Sequence, residues 1–101
     1  MRRVPIFFKV HGIAGKEVLA ACDKELCGKV LKQGEMEFFV SEVFYKGEET
    51  SKQALKAKFQ EFDNINLVGN KVVSAALEEN LVSKECVIEI NGVKHVQIFK
   101  I

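Results

Sequence analysis

A chain of 101 residues holds one domain, since a single core usually organises roughly 100–200 residues. With 48% apolar and 29% charged residues it is not a disordered chain, and no apolar run approaches the ~18 residues needed to span a membrane. Fifteen basic against fourteen acidic side chains leave a net charge of +1. That excludes whole-molecule attraction to polyanions and leaves room only for a local basic patch.

The amino terminus, from Met1 through Arg2 and Arg3 to Val10, is a poor signal peptide, because Lys9 breaks its apolar stretch and no small-residue cleavage site follows. The three cysteines, Cys22, Cys27 and Cys86, are an odd number without an export signal. Free thiols and a cytoplasmic setting are the expectation. Val4, Ile6, Phe8 and Val10 alternate along a first strand, with Phe7 and Lys9 turned outward. A turn over Gly12-Ile13-Ala14-Gly15 leads to a second strand, Glu17 to Asp23, with Val18, Ala20 and Cys22 on one side. Lys29-Val30-Leu31 is a short third strand closed by a turn at Lys32-Gln33-Gly34. The fourth sets Met36, Phe38 and Val40 against Glu35 and Glu37, so one of its faces is wet.

Two helices follow. Thr50 and Gln53 fit a capping box, and Leu55, Phe59 and Phe62 form one apolar stripe. A second helix is expected to open at Asn66 as its N-cap, with Val68, Val72 and Ala76 as its stripe and Asn80 as a left-handed stop. The chain closes on a hairpin whose Asn91-Gly92 turn sets the register. Ile90 then faces Val93, Glu89 pairs with Lys94, Ile88 faces His95, and Cys86 faces Gln97. The fold expected is α+β: a mainly antiparallel sheet with a C-terminal β-hairpin and two helices packed on one face.

The segments Asn66-Leu67-Val68-Gly69, Ala76-Leu77-Glu78-Glu79, Leu81-Val82 and Ile90 to Ile98, with Ala20-Ala21-Cys22-Asp23, Glu25-Leu26 and Gly28-Lys29, resemble the archaeal DUF424 family. The resemblance runs from about Phe8 to Ile101. Lys94 stands where a proline is common in that family, and Asn80 where a glycine is common. What the resemblance implies is a cytoplasmic, single-domain archaeal protein associated with translation and described as RNA-binding. It brings no catalytic residues.

Several positions are candidates for chemistry. Asn66, Gly69 and Lys71 would sit at a helix N-terminus able to hold a phosphate, although they lack the glycine spacing of a P-loop. The plain alternative is that Asn66 caps and Gly69 permits tight packing. His95 and Gln97 share one strand face and could offer hydrogen bonds to a base edge or a partner backbone. Cys22 and Cys27 lack a second ligand pair, so neither a metal nor a cofactor is expected. Residues 1–34 carry seven basic and three acidic side chains, whereas residues 35–49 carry one and five. A basic edge of Arg2, Arg3, Lys9, Lys29 and Lys32 is therefore expected, with Phe7 as its stacking residue.

The leading functional expectation is a non-enzymatic module contacting RNA or a ribosomal or other translation component through that edge. One competing class is a small enzyme with a pocket around His95, Gln97, Cys22 and Asp23. The other is an adaptor that binds a protein partner through the acidic stretch from Glu35 to Glu49.

Overall fold

A computed structural model describes residues 5–101. Strand β1 (Ile6–Ile13) pairs antiparallel with β2 (Lys16–Asp23), so Gly12 and Ile13 belong to the ladder and the turn tightens to Ala14-Gly15. Val4, expected to begin the first strand, lies outside the described residues. Strands β3 (Val30–Gln33) and β4 (Met36–Phe39) form a separate hairpin. A single helical turn, α1 (Glu42–Tyr45), and a short strand, β5 (Glu48–Thr50), come next. Neither was expected, because segments of three or four residues carry too little periodicity to register.

Helix α2 (Lys52–Lys58) is capped by Ser51, whose hydroxyl accepts from the Ala54 N–H, and not by Thr50. Thr50 is committed instead to β5, where it pairs with Ile6 and is buried. Strand β6 (Asn64–Val68) occupies the stretch where a helix was expected to open. Helix α3 (Asn70–Glu78) begins four residues later, with Gly69 as N-cap. Asn66 is thus a mid-strand residue, and its alternation with Ile65 and Leu67 is a strand period that a capping reading overlooks. Helix α3 stops as expected. Asn80 is left-handed at φ 57°, its N–H bonds the Leu77 carbonyl, and the Leu81 N–H bonds that of Ala76, which is the Schellman pair.

Strands β7 (Ile88–Ile90) and β8 (Val93–Phe99) form the closing hairpin in the expected register. Two details differ. Residues Lys84–Cys86 coil into a 3-10 turn, so Cys86 never pairs with Gln97. Glu89 and Lys94 face each other across the ladder but close no ion pair.

The main sheet runs β5-β1-β2-β6-β8-β7 and is antiparallel except where β2 lies beside β6. Each of its faces carries an apolar cluster that needs cover. Helices α2 and α3 pack on the first, burying Leu55, Phe59, Val72 and Ala76 against Ile6, Leu19, Leu67 and Val96. The β3–β4 hairpin and α1 pack on the second, burying Leu31, Val40 and Tyr45 against Phe7, Ala20, Cys22 and Val68. Phe7, expected to point into solvent, is 8% exposed for this reason.

Candidate functional site

The strand register arranges the second sheet face into three rows. The first row runs Phe7, Cys22, Val68, His95, Ile88; the second, Lys9, Ala20, Asn66, Gln97; the third, His11, Val18, Asn64, Phe99. The β3–β4 hairpin closes over the first row, burying Phe7, Cys22 and Val68 and laying Phe38 against His95 with ring centroids 4.7 Å apart. Helix α1 covers the β1–β2 half of the other two. The Tyr45 hydroxyl donates to Asn66 Oδ1 at 2.6 Å, and Lys9 Nζ donates to the Val43 carbonyl at 2.8 Å. His11 stacks on Phe44 at 4.6 Å and donates from Nε2 to the Phe44 carbonyl.

The β6–β8 half of those rows stays open. Gln97 and Phe99 are exposed, and Asn64 and Asn66 are half-buried beside them. Asn64 Oδ1 is buried and no protein donor reaches it. An unsatisfied buried acceptor costs about 1–3 kcal/mol, and Asn64 borders an open groove from which a donor can reach it. The result is a shelf of amide groups with an aromatic ring at its end. Its lower end adjoins that groove of about 400 Å³, which includes Glu17, Glu61 and Asp63. Lys16 and Lys100 line the same groove and offset two of those three carboxylates, so it sets no direction for a polyanion.

The sequence-derived candidates fall into separate places. Lys9 heads the second row, while Lys29 and Lys32 are exposed on or beside the covering hairpin. Lys32 is 4.0 Å from Glu37. Arg2 and Arg3 lie outside the described residues. Gly69 and Lys71 belong to the opposite face, where Asp23 reaches the start of α3 and accepts from the Lys71 N–H at 3.0 Å and the Val72 N–H at 3.1 Å. The chain's own carboxylate therefore occupies the position a phosphate would take, and Lys71 Nζ is bound to Glu25. A Cβ on Gly69 would overlap the Asp23 side chain, so the glycine is there for packing.

The residues of the enzyme reading do not converge. Asp23 faces the helices while Cys22 and His95 face the hairpin. Burial, with Cys27 beside it, pushes the Cys22 thiol far up, and burial raises Asp23 despite its two N–H bonds. Burial also holds His95 below its usual value, and its Nδ1–H is spent on the Leu67 carbonyl at 2.8 Å. A neutral, tethered imidazole under a phenyl ring is a packing group. Among the described residues no cluster of three or more His, Cys, Asp or Glu is placed to hold a metal ion.

Sequence reasoning missed Asn64, Tyr45 and Phe99 as members of the site. Asn64 was legible in the strand alternation. Tyr45 was not, because its place over Asn66 depends on a helical turn 21 residues away in sequence.

The family model "Protein of unknown function (DUF424)" matches residues 11–101. The chain belongs to the DUF424 family. It is also similar to a solved structure described as an uncharacterized conserved protein from Methanopyrus kandleri, at 28% identity and TM-score 0.75, over 95% of this chain and 93% of the other. Comparison with curated proteins gave no match. No helix among the described residues of this DUF424 protein is long and apolar enough to cross a membrane.

Proposed function

We propose that this DUF424 protein is a non-enzymatic module that binds single-stranded RNA, alone or within a ribonucleoprotein, on the open half of its second sheet face. The observation that carries the reading is the polar shelf of Asn64, Asn66 and Gln97 ending at exposed Phe99. Amides can hydrogen-bond base edges, and an exposed ring on a sheet can stack an unpaired base. Lys9 stands on the same row with its ammonium on the Val43 carbonyl, and exposed Lys29 and Lys32 lie beside and on the covering hairpin, which supports contact with phosphates there. The translation setting and the cytoplasm are carried by the family resemblance and by the three free thiols.

Binding of a fluorescent single-stranded RNA, titrated by anisotropy against salt, tests this. About two to four phosphate contacts and micromolar-class affinity are expected, with affinity falling by a slope of roughly 0.7 per phosphate. Reversing Lys29 and Lys32 to Glu should weaken binding to every sequence, whereas Gln97→Ala should alter preference between sequences. An unaltered affinity in the double reversal at matched low salt would remove the lysines from the model. No binding by the original protein would end the RNA reading.

A further inference from the structure

Strand β8 is longer than the strand that covers its outer edge. Alternate residues of a strand turn their backbone groups to opposite sides. The Lys94 carbonyl accepts from the Gly69 N–H and the Lys100 N–H donates to the Asp63 carbonyl, so the even-numbered residues face β6. Val93, His95, Gln97 and Phe99 therefore face outward. Ile90 and Ile88 answer the first two, and then β7 ends, because the chain before it coils away at Lys84–Cys86. The outward N–H and C=O groups of Gln97 and Phe99 are left without a backbone partner among the described residues.

The flanking side chains make this edge adhesive. Phe99 is 65% and Ile88 50% exposed, on the same face of the sheet. Sheet edges are normally protected by charge, and the far edge of this sheet conforms, with exposed Glu48 and Glu49 on β5. No ionised side chain stands at 97 or 99, and the Lys100 ammonium is folded onto the Phe59 carbonyl at 2.6 Å.

We infer that two copies of this chain pair through the open edges of β8, antiparallel about a two-fold axis near Phe99. An antiparallel edge is self-complementary about such an axis. With the axis at Phe99, each Phe99 exchanges its outward N–H and C=O with its symmetry mate, and Gln97 of each copy faces residue 101 of the other. Phe99 then lies beside its symmetry mate as a cross-strand aromatic pair, and no like charges are brought together. Charge decides between the edges, since pairing through β5 would set glutamates against glutamates. The amide shelves of the two copies become continuous across the axis.

Light scattering and sedimentation of the protein without RNA, at about 0.1 mM, test the pairing independently of any RNA binding, for a micromolar-class dimer. The mass expected is that of two chains and not the 11.4 kDa of one. Gln97→Ala keeps the backbone N–H and should remain dimeric. Gln97→Pro removes an outward N–H at an edge position, where proline is tolerated, and should become monomeric with an unchanged far-ultraviolet spectrum. Phe99→Asp is a second variant that leaves the ladder intact, and it should raise the dissociation constant at least about tenfold by placing two carboxylates together. A one-chain mass for the original protein would overturn the inference and leave the edge to a strand of another protein. A dimer that survives both Gln97→Pro and Phe99→Asp would overturn it as well.

Discussion

At the scale of single residues, Asp23 and Gly69 are a matched pair. Asp23 ends β2, two N–H groups of α3 point at its carboxylate, and the strand reaches the helix because residue 69 has no side chain. Gly69 also holds φ 124°, which L residues rarely adopt. Asp23→Ala should destabilise the protein by about 2–3 kcal/mol in urea unfolding, through loss of the cap and two unsatisfied donors. Gly69→Ala should cost about 2 kcal/mol through steric overlap and backbone strain. Truncating Asp23 to Ala removes its carboxyl from the overlap but leaves its Cβ 2.8 Å from the new one, so the double variant should be only about 0.5 kcal/mol more stable than additivity gives. Strict additivity would show that the two residues do not meet. The sequence offered Gly69 as a packing glycine, but its neighbour is 46 residues away and only the fold supplies it.

Among the elements, the β7–β8 hairpin was the most legible because its register is set locally. Asn91 at φ 50° and Gly92 at φ 83° are both left-handed, as a type I′ turn requires. Gly92→Val should lower stability by more than ~1 kcal/mol, read from the denaturation midpoint, since a β-branched residue tolerates that conformation poorly. An unchanged midpoint would contradict the turn geometry. Strand β6 was misread for a complementary reason. Asn66 has the side chain of an N-cap, and whether it caps or pairs depends on β2 and β8 arriving on either side of it. Thr50 was displaced from its expected cap in the same way, by pairing with Ile6.

Across the whole molecule, the helical layer is tied together by charge at one point. Glu78 on α3 accepts from Lys52 and Lys56 of α2 and from Ser74, and Lys52 leads these contacts in holding its carboxyl down at about 2. A carboxylate whose folded pKa lies below its unfolded value near 4.5 stabilises fully above pH 4.5 and loses that contribution as the pH falls toward 2. The group is exposed, so salt should shrink the effect. Acid unfolding of the original protein should thus be steeper between pH 4.5 and 2 than that of Glu78→Gln. Identical acid profiles for the two would show that the ion pairs do not persist in solution.

The sequence alone determined the closing hairpin, the burial of Leu55 and Phe59, and the left-handed end of α3. Each follows from residues within a turn or two of each other, where backbone preference and periodicity decide the outcome. The three rows on the second face were decided only by tertiary structure. Their members come from five strands spread along the chain, and the register between β2, β6 and β8 is a long-range property. It was that register which buried Phe7, separated Asp23 from His95, and left Gln97 and Phe99 in the open.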